Sequence, residues 1–231
     1  MAVFNLIQRL GTEKYVFSLA NLGNGIVIAG TNPTGQIYRS TDSGNSWNLI
    51  QQLGSETYVL SLASLGNGIV LAGTNPTGQI YKSTDSGASW SLIQQLGTEK
   101  YVFSLANLGN GIVIAGTSSP GLIYKSTDSG SSWSLIQQLG TELAVFPLAS
   151  LGNGIVLAGT GNTGQIYRST DSGASWSFVQ RLGTEVQVRS LASLGNGIVL
   201  AGTFTSGQIY KGKIITFGSG ISFGSANMMV I

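Results

Sequence analysis

The sequence predicts an all-β protein: a five-bladed β-propeller with four-stranded blades of 43 residues. Three observations predict it. Trp47, Trp90, Trp133 and Trp176 stand 43 residues apart. Each period holds four short segments rich in β-forming residues. The first segment of the chain matches the last segment of a period.

In the first full copy the four segments read YVFSLANL, GIVIAGT, GQIYRST and SWNLIQQL. Glycine falls in every link between them and no helical period is visible, so each segment reads as a strand and each link as a turn. Phe4 lies 43 residues before Trp47, which makes FNLIQRLG the fourth strand of a blade. The first three strands of that blade are at the other end, in VRSLASLGNGIVLAGTFTSGQIYKG. Joining the two ends removes open sheet edges. Residues 1–213 are therefore expected to form one domain, with residues 1–11 as the outer strand of blade five. Residues 214–231, IITFGSGISFGSANMMVI, leave the repeat as an apolar, uncharged tail.

Composition narrows the function. Hydrophobic residues make up 42% and charged residues 9%, so the chain can fill a core. The net charge is +2 with no run of Lys or Arg, which argues against a nucleic-acid partner. There is no Cys and no His, which removes disulfides, the usual zinc sites and Ser-His-Asp chemistry. No metal or other cofactor is expected. No apolar run reaches the ~20 residues of a membrane span. No signal peptide is visible at the N-terminus, so synthesis in the cytosol is expected, with release, if any, in a virus particle or by a non-Sec route.

The turn STDSGNSW returns as STDSGASW, STDSGSSW and STDSGASW. This pattern resembles the Asp-box, or BNR, repeat of sialidases and other β-propellers. The Asp carboxylates (Asp42, Asp85, Asp128, Asp171) suit backbone N–H groups of their own turns. Gly44, Gly87, Gly130 and Gly173 suit positive φ, and Trp47, Trp90, Trp133 and Trp176 suit packing between blades. The resemblance implies a structural role for these residues, away from any catalytic centre. Sialidases also use an arginine triad, a tyrosine nucleophile and carboxylates in unlike surroundings. Here every Glu (13, 56, 99, 142, 185) occupies one repeat position and every Asp another. Near-identical copies do not separate their pKa values as acid/base pairs must, so no catalytic residue is expected and the chain reads as a non-enzyme.

Differences between the copies mark the other rim. The link between second and third strands reads NPT, NPT, SSP, GNT and FTS, and the link into the first strand also varies. Loops of adjacent blades converge on such a rim. Glu13, Tyr15, Asn32, Glu56, Tyr58, Asn75, Glu99 and Tyr101 are the candidate ligand-binding residues: aromatic faces for sugar C–H groups, carboxylates and amides for hydroxyls. The expected function is recognition or adhesion, lectin-like, of a glycan or a surface. The alternative is a structural or assembly component of a larger particle such as a virion, docked on a protein partner through residues 214–231. A glycosidase is the third reading.

Overall fold

The computed structural model describes residues 4–214, and among these all regular structure is β. Unit one contains β1 (Tyr15–Gly23), β2 (Ile26–Asn32), β3 (Gln36–Ser40) and β4 (Asn48–Gln52). Unit two contains β5 (Tyr58–Gly66), β6 (Ile69–Asn75), β7 (Gln79–Ser83) and β8 (Ser91–Gln95). Unit three contains β9 (Tyr101–Gly109), β10 (Ile112–Ser118), β11 (Leu122–Ser126) and β12 (Ser134–Gln138). Unit four contains β13 (Ala144–Gly152), β14 (Ile155–Gly161), β15 (Gln165–Ser169) and β16 (Ser177–Arg181). Unit five has three strands: β17 (Val188–Gly195), β18 (Ile198–Thr203) and β19 (Ile209–Lys213). Strands within each unit pair antiparallel in chain order, and one bridge, Ser118 opposite Ala144, joins units three and four into an eight-stranded sheet.

Local sequence explains the hairpins. Asn24 and Gly25 both take positive φ (50° and 76°), as a two-residue turn matched to strand twist requires, and the same Asn-Gly pair opens every unit. The first strand of each unit carries a β-bulge. In β1 Val16 pairs with Thr31 and Ser18 with Gly30, leaving Phe17 without a partner. The bulge re-aims the strand: Val59 in β5 faces the preceding unit, whereas Ser61 donates a hydrogen bond to Val102 O in the following one.

The core lies between units rather than inside them. β1 packs on β5, β5 on β9, β9 on β13 and β13 on β17. Val59, Val102, Val145 and Val188 are wholly buried. Each sits over a glycine of the preceding unit, and a Cβ on Gly30, for example, would come within 2.5 Å of Val59 Cγ1. Trp90 is buried with Ile28, Ile37 and Leu53 of unit one, and Trp133 and Trp176 repeat the arrangement one and two units on. A glutamine clasps each such junction. Gln51 Nε2 donates to Trp90 O (3.1 Å) and Trp90 N donates to Gln51 Oε1 (3.2 Å), and Gln94 with Trp133 and Gln137 with Trp176 do the same.

The two ends of the series differ from its middle. Residues 4–10 pair with no strand in this structure; Gln8 holds them at unit one by the same clasp on Trp47 (3.0 Å each way). Of the outer strand of unit five that the sequence assigns to residues 1–11, residues 1–3 lie outside the described residues, and residues 4–10 are seated against unit one but not against β19. The tail falls outside the described residues except Ile214, whose N–H donates to Gly197 O (2.7 Å).

Candidate partner-binding rim

The Asp turns close on themselves. Asp42 Oδ1 accepts from Ser46 N (2.9 Å) and Ser40 Oγ (2.7 Å), and Oδ2 accepts from Ser46 Oγ (2.6 Å). Ser40 Oγ in turn accepts from Gly44 N, and Trp47 Nε1 donates to Gly44 O (3.1 Å). The hydrogen bonds from Ser46 hold the Asp42 carboxyl at about 2, below the ordinary value. At Asp85, Asp128 and Asp171 burial pushes the pKa up, but the bonds from Ser89, Ser132 and Ser175 outweigh it and again hold about 2. Both oxygens of each carboxylate are engaged by the residue's own turn. Among the described residues no cluster of three or more His, Cys, Asp or Glu side chains stands ready for a metal.

The glutamates are placed inside, not on the rim surface. All five are under 8% exposed. Glu13 accepts hydrogen bonds from the hydroxyl and the N–H (3.4 Å) of Thr34, and Glu56 holds Thr77 and Glu142 holds Thr163 in the same way. Glu185 takes the hydroxyl of Ser206. Four of the five Glu therefore clamp the variable link of their own unit. Unit three departs: Pro120 replaces the threonine and Leu122 replaces the glutamine that elsewhere receives the tyrosine hydroxyl. Tyr124 consequently donates to Glu99 Oε1 (3.3 Å), and Glu99 Oε2 is buried without a partner. Burial, then the charge and hydrogen bond of Glu99, push the Tyr124 phenol up to about 12.

Asn32 and Asn75 are buried at the ends of β2 and β6, and the Asn75 amide donates to Lys100 O of the next unit (3.3 Å). Of the candidate residues only the tyrosines keep accessible faces; Tyr15 is 60% exposed, and Tyr58 and Tyr101 are half-buried.

Around the tyrosines the structure adds a row that sequence patterning missed. The bulge residues of the five units are Phe17, Leu60, Phe103, Phe146 and Arg189. Phe17 lies 5.7 Å from Tyr15 and 5.5 Å from Tyr58, centroid to centroid. Tyr101 stacks on Phe103 (5.1 Å), which meets the edge of Phe146 (4.9 Å). Arg189 Cζ lies 3.9 Å from the centre of the Phe146 ring and 5.2 Å from that of Phe204, a cation–π arrangement, and its Nε donates to Gln187 (2.7 Å). Burial lowers the Arg189 pKa from its ordinary value. The variation Phe, Leu, Phe, Phe, Arg at one repeat position was the available signal. The row can offer apolar and aromatic contact with one cation at its end, and its chemistry contains no carboxylate pair.

Comparison with known proteins places this fold. No curated protein sequence matches the chain. Among solved structures it is similar to YCF48 bound to a D1 peptide (17% identity over 89% of this chain and 67% of that one, TM-score 0.68). It is similar to YCF48 from Cyanidioschyzon merolae (13%, 96% and 73%, TM-score 0.70). It is also similar to an ancestral GH74 enzyme (18%, 99% and 33%, TM-score 0.74), of which it spans one third. Identities this low establish a propeller-like all-β fold and nothing of activity. The family model described as photosynthesis system II assembly factor YCF48 matches residues 57–199, from the start of unit two into unit five. That match covers more than half of the sequence, and the chain belongs to this family.

Proposed function

We propose that the chain is a non-enzymatic propeller of five four-stranded blades, its ring closed by the N-terminal strand, which binds a segment of a protein partner across the variable rim in an assembly role. The observation that carries this reading is the use of the carboxylates. All four Asp are consumed by their turns and all five Glu lie buried beneath the rim, which leaves the aromatic bulge row with Arg189 as its distinctive accessible surface. Such a row suits apolar and aromatic side chains of a peptide, with Arg189 reading an anionic group beside them. Family membership supports it, because YCF48 has been solved with a peptide of D1 bound.

The test is an array of immobilised peptides of varied sequence, run beside a glycan array, with intact protein and the variants Phe146→Ala and Arg189→Ala. Peptide binding lost in both variants, with unchanged circular dichroism, is the expected result. Exposed Tyr15 and Phe17 favour a second reading, sugar stacking on the rings. Binding confined to the glycan array and lost in Tyr15→Ala would replace the peptide reading with it.

A further inference from the structure

Three junctions between units are filled by a tryptophan, and the fourth is not. Units four and five meet at Leu157, Ile166, Leu182, Val188, Val199 and Ala201, the repeat equivalents of the residues around Trp90. No indole joins them, because the sequence leaves the repeat before the next tryptophan would come. In its place the junction holds a shallow apolar hollow, open to solvent, between Leu157, Ile166, Leu182 and Val199 on one side and Tyr210 and Ile214 on the other. The glutamine that should clasp the missing residue is Gln180 on β16, one repeat after Gln137, and Ser219 stands where its tryptophan would be.

The opposite end of the series has the complementary surplus. Phe4, at the tryptophan position of the period, is 98% exposed. Val16 is 50% exposed although its four repeat equivalents are wholly buried. Gly202, the glycine that such a valine should cover, faces only Ser190. Ile209 on the open edge of β19 is 76% exposed, whereas Ile37, Ile80 and Ile123 are wholly buried.

We infer that the hollow between units four and five is a socket for Phe4, and that residues 4–10 of the same chain are its occupant. Phe4 enters where the other junctions hold an indole, and its backbone meets the Gln180 carboxamide as Trp90 meets Gln51. Residues 5–9 pair with β19 in the register of the other outer strands, with Asn5 opposite Lys211, Leu6 opposite Tyr210, Gln8 opposite Ile209 and Arg9 opposite Gln208. Val16 then covers Gly202. The same segment already reaches unit one through Gln8, so seating Phe4 links the last unit to the first. Complementarity at three separate places, the socket, the edge and the Val16–Gly202 pair, favours the chain's own segment as occupant.

The inference rests on the five-unit ring of the proposed function, but not on its partner. The chain has no cysteine, so a Phe4→Cys variant carries a single thiol. Maleimide labelling at that thiol should be at least tenfold slower than at an exposed reference, Ser55→Cys, and the rate should not change on dilution of a sample that light scattering shows to be monomeric. Because cysteine underfills the socket, Phe4→Trp and Phe4→Asp are measured beside it. Tryptophan should raise the thermal midpoint, aspartate should lower it, and Gln180→Ala should shrink the gain from tryptophan. Labelling as fast as at Ser55→Cys, or an unchanged midpoint in Phe4→Asp, overturns the inference. Protection that appears only with rising concentration and dimer mass assigns the socket to a second copy and overturns the own-chain assignment. Rim binding, read on the peptide array, fails or survives separately.

Discussion

Glu99 is the residue whose surroundings differ most from those of its copies. Its four counterparts receive a hydroxyl from the link they clamp, while Glu99, with Pro120 at the position of that donor, receives only the Tyr124 hydroxyl; Oε2 is buried without a partner in Glu99 and also in Glu185. Replacing Pro120 by Thr and Leu122 by Gln restores the hydroxyl that donates to the glutamate and the amide oxygen that accepts from the tyrosine in units one and two. The double variant should gain about 1 kcal/mol, read from urea unfolding, since an unsatisfied buried acceptor costs about that much or more. The Asp turns yield a pH prediction. Their folded pKa of about 2 lies below the ordinary 3.8, so the stability they contribute is present above about pH 4 and is lost as pH falls towards 2. The thermal midpoint should fall across that window, and by less in Asp42→Asn than in the parent chain. These turns are largely solvated, so the effect is modest.

At the scale of the strand, the turns were legible and the bulges were not. Asp42, Gly44 and Trp47 act within a few residues of one another, and local spacing is enough to read them. Glu56 instead clamps Thr77, 21 residues away across two hairpins, so sequence places both on one rim without showing that they consume each other. The bulge at Phe17 shifts the register of β1, and strict alternation cannot anticipate it. Strict alternation therefore passes over Phe17, Phe103 and Phe146, which stand at the bulges, while it singles out Tyr15, Tyr58 and Tyr101 at the strand starts. The contact between inner strands gives a sharper prediction. A Cβ at Gly73 would meet Ser61 Oγ at 2.5 Å and Val102 Cγ1 at 2.6 Å. Gly73→Ala should therefore cost about 2–3 kcal/mol in chemical unfolding, within the overpacking range.

For the whole molecule, the period made the five-unit order legible, whereas the meeting of first and last units depends on contacts between residues some 200 positions apart. Gly202 reports on that meeting. As the units stand, a Cβ there meets only the Ser190 side chain, which has room to turn away. Once Val16 is seated, the same Cβ meets a packed valine. Gly202→Ala should then destabilise nearly as much as Gly73→Ala, measured by the same unfolding curves; a silent Gly202→Ala would mean that the first and last units do not touch.

The glutamine clasps tie each unit to the next by partners 39 residues apart, always in the same phase of the 43-residue period. Every internal junction is consequently interchangeable. Unequal recombination between gene copies this similar would delete or add a whole unit in phase, and each new junction would still bring a glutamine to a tryptophan. Length variants of four or six units should thus arise readily in a lineage carrying such a sequence, with selection acting on whether the two ends still meet.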